Sequence, residues 1–99
     1  MAERCAPRNT SKAFAAGDLT LTIASGAPVH VYGIWLSNVD DGAEHLFTIK
    51  DGAGTTIHAL EVAPDTALEL SVPWIADKGI AITGVSGDSV TVFHNSPGR

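Results

Sequence analysis

Short segments in which apolar and polar residues alternate recur along the chain. In DLTLTIA (18–24), Leu19, Leu21 and Ile23 fall on one side of the backbone and the two threonines on the other. A period of two is typical of a strand with one buried face. Patterns of this kind predict strands over residues 18–24, 29–39, 45–51, 55–63, 67–72, 80–83 and 89–94.

Turn-forming stretches separate these segments at short intervals. DDGAE (40–44), GAG (52–54) and GVSGD (84–88) contain the glycines that tight turns require. No segment of useful length has a helical period. We therefore predict an all-β protein, a single antiparallel β-sandwich of about seven strands and of the jelly-roll or immunoglobulin-like kind, in which most consecutive strands are neighbours.

The N-terminal segment has a different character from the rest of the chain. Residues 1–12 show no alternation, and their basic side chains outnumber the single acidic one. Those basic residues are Arg4, Arg8 and Lys12. We predict a flexible, basic N-terminal arm over residues 1–17, a sandwich domain over 18–94 and a tail over 95–99.

The segment VHVYGIWLSNV (29–39) is apolar on both sides. Strict alternation places Val29, Val31 and Trp35 on one face, which we expect to be the core. It places His30, Tyr32, Ile34 and Leu36 on the other face. Because that second face is also apolar, the strand is either central or covered on its outer side, and we expect other copies of the chain to cover it. Trp74 lies in the irregular connection 73–79 and is a further candidate for this contact. The predicted subunit interface is therefore Tyr32, Ile34, Leu36 and Trp74.

Composition supports a covered surface. Only 17% of the residues are charged, against about 25% in an average soluble chain. At the same time 44% are hydrophobic, and the mean hydropathy is +0.16. A small domain has a large surface for its volume, so this shortage of charge favours an oligomer or a docked subunit. The alternative is that Thr, Ser and Gly provide an uncharged polar surface.

The distribution of charge excludes several classes of partner. The formal net charge is −5, and the chain beyond residue 12 stands at −7. An acidic body repels phosphate backbones, so we expect no direct contact with nucleic acid. The basic arm either rests on an acidic protein surface or is a solvated tail. Cys5 is the only cysteine, and neither a signal peptide nor an 18-residue apolar span is present, so we expect synthesis in a reducing cytosol and no membrane contact.

The search for chemistry yields no catalytic, cofactor or metal site. No two of the four histidines, His30, His45, His58 and His94, are spaced as a metal pair on one element. The acidic turn 40–44 with Asn38 has oxygen ligands but lacks the spacing of an EF-hand calcium loop. GDS (87–89) resembles the nucleophile motif of trypsin-like proteases, and DGAGTT (51–56) resembles a phosphate-binding loop. Each match covers too few residues to indicate such a site. A carboxylate pair for glycoside hydrolysis would need a cleft that so small a sandwich seldom has.

Three aromatic residues suggest a second class of function. Tyr32, Trp35 and Trp74 would form a flat platform for sugar rings if all three were exposed. Trp35 shares its predicted face with core valines, so the same residues favour a contact between subunits more than a platform for glycans.

The region 28–94 contains several strand and turn segments that together form a familiar pattern. The segments that carry the resemblance are GIWLSN (33–38), KDGAGTTI (50–57), LELSVP (68–73), GIAIT (79–83) and VTVF (90–93). Together they are similar to small all-β virion proteins of tailed bacteriophages, some of which are head decoration, or cement, proteins. The resemblance covers about two-thirds of the chain and consists of strand and turn motifs. It implies a trimer on the capsid that pins neighbouring major capsid subunits.

The leading hypothesis is therefore a non-enzymatic decoration protein that binds the outer shell as a homotrimer. It would be made in the host bacterial cytoplasm and end in the virion, with Arg4, Arg8 and Lys12 of the arm on the major capsid protein. The alternative is a glycan- or receptor-binding module, carried on a virion or free. A metal-dependent enzyme that uses the histidines is the third hypothesis.

Overall fold

The computed structural model describes residues 8–23, 27–40, 42–52, 54–71 and 74–95. Within these ranges the backbone forms nine strands and no helix, and hence none long and apolar enough to cross a membrane. The strands are β1 (Arg8–Ala13), β2 (Thr20–Ile23), β3 (Val29–Asn38), β4 (His45–Asp51), β5 (Thr56–Val62), β6 (Thr66–Leu70), β7 (Trp74–Ala76), β8 (Ile80–Thr83) and β9 (Ser89–Asn95).

The strands pair into two antiparallel sheets. Sheet 1 has the order β1-β9-β3-β6, and β7 pairs with β3 beside the end that β6 leaves free. Sheet 2 has the order β2-β8-β4-β5. The prediction of an all-β, sandwich-like protein is confirmed, and each of the seven predicted strands is present. β1 and β7 are the strands that the sequence pattern did not predict.

Consecutive strands mostly lie in different sheets. The chain alternates between sheet 1 and sheet 2 from β1 to β4, and among the described strands β4 and β5 are the only consecutive pair bonded to each other. The prediction that most consecutive strands are neighbours is therefore wrong. Two packed sheets are about 10 Å apart, a distance that three extended residues can span. A short connection can therefore either join neighbours in one sheet as a hairpin or cross to the other sheet, and its length alone does not distinguish the two.

The inner faces of the two sheets meet in one apolar core. Its fully buried members include Val29, Val31, Ile34, Leu36, Phe47, Ile80, Ile82 and Val92. Phe14, which follows β1, packs against Phe47 with ring centroids 6.3 Å apart. Burial of each such large side chain is worth about 1.5–3 kcal/mol, so this core is the main source of stability.

A β-bulge interrupts the pairing of β3 with β9. Val31 lies opposite His94, whereas the next paired residue of β3 is Gly33, opposite Phe93. Tyr32 is thus an extra residue, and two residues of β3 oppose one of β9. A bulge of this kind shifts the inward and outward positions of the strand by one residue beyond it.

The bulge corrects the predicted faces of β3. Ile34 and Leu36 are fully buried in the core, so the prediction that they share an outer face with Tyr32 is wrong. Trp35, expected in the core, is exposed on the same side as Tyr32. A glycine inside a strand pattern is a known sign of a bulge, and Gly33 was the signal that could have revealed it.

The predicted flexible arm over residues 1–17 is wrong for Arg8–Ala13. These residues form β1, which pairs with β9 along its whole length. Thr10 Oγ1 is hydrogen-bonded to His94 Nε2 at 2.8 Å, and Ser11 Oγ to Thr91 Oγ1 at 2.8 Å. The strand was missed because an edge strand that binds polar neighbours needs no apolar alternation. The rest of the predicted arm before Arg8, and the tail beyond Asn95, lie outside the described residues.

Candidate functional site

The outer face of sheet 1 exposes large apolar side chains near its centre. Tyr32 and Trp35 of β3 are 45% and 47% exposed, and Ile75 of β7 is 56% exposed. Phe93 of β9 is partly buried on the same side, beside the bulge. We refer to Tyr32, Trp35, Ile75 and Phe93 as the aromatic face.

Two contacts fix the rings of the aromatic face. Trp35 and Phe93 pack edge to face, with centroids 5.4 Å apart and an interplanar angle of 73°. The Nδ2 group of Asn95 donates a hydrogen bond to the Tyr32 hydroxyl at 3.3 Å. Asn95 Oδ1 is buried without a hydrogen-bond partner among the described residues. Rings held in this way lose little entropy on binding, so the face suits an apolar protein surface or the ring of a sugar.

The structure brings together a different set from the predicted subunit interface. Of the four predicted residues, Tyr32 lies on the aromatic face, whereas Ile34 and Leu36 lie in the core. The backbone of Trp74 pairs with Val31, and its side chain lies outside the described part of the chain. Sequence reasoning favoured the core for Trp35, where Gly33 was the signal of the bulge that turns it outward, and it did not identify Ile75 or Phe93.

The predicted capsid-contact residues are only partly described. Lys12 lies on β1, and its Nζ donates a hydrogen bond to Asp18 Oδ2 at 2.8 Å, so its charge is partly neutralised. The backbone of Arg8 pairs with His94, while its side chain and the whole of Arg4 lie outside the described residues.

A second cluster of polar groups lies at the end of the sandwich where β3 crosses to β4. Asp88, just before β9, is fully buried and accepts hydrogen bonds from the Val39 amide at 3.1 Å and from His45 Nδ1 at 2.5 Å. The other ring nitrogen of His45 lies 3.2 Å from Asp40 Oδ2. One imidazole thus bridges two carboxylates.

Asn38 completes this cluster. It is 1% exposed, and its Nδ2 donates to the carbonyls of Ala43 and Val62 at 2.9 Å each. Its Oδ1 accepts the amide of Asp40 at 2.9 Å. We refer to Asn38, Asp40, His45 and Asp88 as the clamp, because together they tie Val39, Asp40 and Ala43 to β5 and to the turn before β9.

The clamp shifts two pKa values. The hydrogen bond that His45 donates to Asp88, opposed by partial burial, raises the pKa of His45 above 6.5, and Asp40 adds to the effect. The amide of Gly42, followed by His45, lowers the pKa of Asp40 below 3.8. Both shifts favour a protonated ring between two carboxylates near neutral pH.

The remaining candidate chemistry does not converge. His94 is buried beside Thr10, and His30 and His58 are exposed. In the described ranges no group of three or more His, Cys, Asp or Glu side chains is arranged to hold a metal ion. In the acidic turn considered for calcium, the Asn38 side chain donates its hydrogen bonds to two backbone carbonyls. Asp41 of the same turn lies outside the described residues.

Comparison with known proteins adds no identification. No protein-family model, no curated protein and no solved structure matches the chain. The class that fold and site define is an all-β, sandwich-like protein with two antiparallel sheets and an exposed aromatic face.

Proposed function

We propose that the protein is a non-enzymatic virion protein of a tailed bacteriophage, a capsid decoration protein that binds the outer shell as a homotrimer. The observation that carries the proposal is the aromatic face: three large apolar side chains that are 45% to 56% exposed on one sheet of a small domain. Apolar groups clustered in this way usually mark a protein contact. Trp and Tyr are the residues that most often dominate such contacts.

We further propose that the sandwich is a jelly roll. The support is its strand order: β1 and β9, the first and last strands, pair at one edge of sheet 1, and strands from early and late in the chain alternate across both sheets. Jelly rolls of eight strands occur in viral capsid and lectin domains. In this chain β6 and β7 would share the position of one strand beside β3.

In this proposal the aromatic face lies between copies. The low charge content of the chain fits a domain whose apolar surface is covered in the assembly. The number three comes from the resemblance to decoration proteins, and the face supplies the contact that holds the copies together. Ile34 and Leu36 act only as core support beneath that contact.

The basic N-terminal residues would contact the major capsid protein. Arg4 and Arg8 remain candidates for this role, while Lys12 contributes less because it is paired with Asp18. Each such contact is weak by itself, but a trimer presents three copies at once, which raises the overall affinity by about 10²–10⁴. The protein would thus be made in the bacterial cytoplasm and act on the capsid surface, without cofactor, nucleic acid or membrane.

The first test is solution mass by light scattering. We expect the wild-type chain to have three times its 10.2 kDa mass, and the double variant Tyr32→Ser/Trp35→Ser to be a folded monomer. Ile57→Ser is the matched control, because Ile57 is also 47% exposed but lies on sheet 2. A wild-type monomer, or a trimer that survives the double substitution, would contradict the proposal.

The second test is binding to empty, expanded shells of the virus that carries the chain. We expect wild-type protein to co-sediment with shells and Arg4→Glu/Arg8→Glu to remain in the supernatant as an intact trimer. If the charge-reversed trimer still decorates shells, the contact is not made through these arginines.

The exposure of Trp35 favours a second candidate, a glycan-binding module. Trp35 and Tyr32 lie on one outer face, where Trp35 packs edge to face against Phe93. Exposed aromatic rings of this kind suit the stacking of a sugar ring. This candidate predicts a monomer whose binding to a polysaccharide is lost in Trp35→Ala, whereas a trimer that buries the aromatic face excludes it.

A further inference from the structure

β5 is the least protected free edge among the described strands. The other edge strands are short or charged: β1 contains Arg8 and Lys12, β2 has four residues, β6 has five and carries Glu69, and β7 has three. Short strands and edge charges are the devices by which natural sheets avoid further pairing. β5 has seven residues with one formal charge, Glu61, and its bulge at Ile57 lies near its start. Its free side is therefore open to a further strand.

The side chains at this edge are only partly covered. On the inner side, His58 is exposed although Ile49, opposite it on β4, is 2% exposed, and Leu60 is only partly buried. On the outer side, Ile57 and Leu46 of β4 are both about half exposed. Sheet 1 therefore leaves much of β5 open, and an added strand would bury apolar surface on both sides of sheet 2.

Two charges near β5 indicate what the added strand is. Glu61 lies near the end of β5, and Lys50 of β4 lies opposite Thr56 at its start. Both point to the outer face of sheet 2, and neither makes an ion pair within the described ranges. A second β5 that runs antiparallel presents the same two charges in reverse order. It therefore brings Glu61 of each copy toward Lys50 of the other.

The geometry of antiparallel pairing fixes the register. Opposite residues lie on the same face of a sheet, so the two-fold axis must lie between two copies of one residue. An axis at Ala59, the middle residue of β5, pairs the whole strand with its copy. Glu61 of one copy then lies beside Ile57 of the other. The backbones of Glu61 and Lys50 are two strand spacings apart, about 10 Å, a gap that their long side chains span.

We propose that two copies of the chain associate through antiparallel pairing of their β5 edges, which joins the two copies of sheet 2 into one sheet of eight strands. The contact leaves the aromatic face on sheet 1 free, so it does not rest on the function proposed above. A single pair of strands buries less than a stable interface does and is marginal by itself. We expect a dissociation constant on the order of 1 mM, so dilute solutions do not contain the contact.

The first test is disulfide trapping at a protein concentration of about 1 mM. With Cys5 replaced by serine, Ala59→Cys carries a single thiol, and disulfide-linked dimers are measured on non-reducing gels under mild oxidation. The matched control is Thr22→Cys, an exposed outward position on β2 at the other edge of sheet 2. We expect Ala59→Cys to cross-link at least about tenfold faster, because the pairing holds its two thiols together.

The second test reverses the charges in the Ala59→Cys protein. Glu61→Lys and Lys50→Glu should each slow cross-linking by about two- to tenfold, and the two together should restore the rate. Within one copy these residues lie at opposite ends of β5, so recovery reports a contact between copies. The rate should be unchanged in the Tyr32→Ser/Trp35→Ser background, which removes the aromatic rings from sheet 1.

Three outcomes would overturn the proposal. Cross-linking of Ala59→Cys that is no faster than that of Thr22→Cys would show that the β5 edges do not meet. A charge-reversed pair that stays slow would show that Glu61 and Lys50 do not face each other across the contact. Cross-linking that is lost in Tyr32→Ser/Trp35→Ser would assign the contact to assembly through the aromatic face. A wild-type monomer in dilute solution contradicts the proposed trimer and leaves these outcomes unchanged.

Discussion

Tyr32 and Trp35 are three residues apart in one strand, yet both lie on the outer face of sheet 1. In a regular strand an odd separation puts two side chains on opposite faces. The extra residue at the bulge beside Gly33 restores them to one face and leaves Ile34 in the core. The bulge therefore absorbs the one residue by which β3 exceeds its partner strand, and Tyr32 and Trp35 share a face.

Deletion of Gly33 should leave that face in place. Without it Tyr32 alone opposes Phe93, and Val31, Ile34 and Trp35 keep their present sides because the strand then alternates without interruption. We expect the deletion to leave the acrylamide quenching of Trp35 unchanged, measured by fluorescence in a Trp74→Phe background. The same quenching in Trp74→Phe with Gly33 retained is the control. Emission that becomes protected would mean that Trp35 has turned inward and that the bulge is needed to keep it outside.

The sequence pattern predicted those strands that place apolar side chains in the core on one face only. Alternation revealed β2 and β6 because one side of each meets the opposite sheet. β1 was missed because it lies at an edge, where Thr10 and Ser11 bond to polar partners on β9. β7 is only three residues long, which is too short for a period to be read.

The candidate sites depended on relationships that a local pattern does not contain. His45 and Asp88 are 43 residues apart and meet only because the chain crosses repeatedly between two sheets. Nothing near either residue in sequence identifies its partner. The aromatic face, in contrast, had a local signal in Gly33, and strict alternation was the wrong assumption across it.

Gly84 should not tolerate a side chain. A Cβ at this position would lie 2.4 Å from Cε2 of Phe14 and 3.0 Å from Cδ2 of Phe47, inside the core. We expect Gly84→Ala to lower the free energy of unfolding by about 1–3 kcal/mol, measured by urea denaturation.

Two further variants test the cause of that loss. Phe14→Leu removes the ring atoms nearest to the added methyl group, so the double variant should lose less than the sum of the two single variants. Gly42→Ala, where the nearest atom lies at an ordinary 3.6 Å, should change stability by no more than about 0.5 kcal/mol. Strict additivity of Gly84→Ala and Phe14→Leu would show that the contact is relieved elsewhere.

The free energy of unfolding should depend on whether the side-chain atom at Nδ2 of Asn38 is nitrogen or oxygen. Asn38→Asp keeps the shape but turns an oxygen toward the carbonyls of Ala43 and Val62, which now receive an N–H. We expect a loss of about 2–4 kcal/mol at pH 7 by urea denaturation, because a buried carboxylate faces two acceptors.

Acidification should reverse part of this loss. A protonated carboxyl can donate to one of the two carbonyls, so the pKa of the introduced group is raised by folding, and stability is recovered as the pH falls through that value. Asn38→Ala provides the control: it should lose about 1–3 kcal/mol with no recovery in acid relative to wild type. Parallel pH profiles for the two variants would contradict the assignment of the Asn38 amide.

The pH dependence of wild-type stability should have a defined sign. Folding raises the pKa of His45, so the contribution of its two bonds is complete below its ordinary value of 6.5 and is lost as pH rises through the higher, folded value. Folding lowers the pKa of Asp40, so its contribution is complete above 3.8 and is lost as pH falls. For these two groups we expect the free energy of unfolding to be highest between those values.

Urea denaturation across pH 4 to 9 measures this profile. Asp88→Asn is the informative variant, because it removes the first cause of the raised pKa of His45 while retaining a side chain of the same shape. It should lose stability overall, since Asp88 is fully buried and accepts two hydrogen bonds, and it should show a much smaller decline above neutral pH. A wild-type stability that rises from pH 6 to pH 8, or a decline that is unchanged in Asp88→Asn, would show that the imidazolium of His45 does not stabilise the fold.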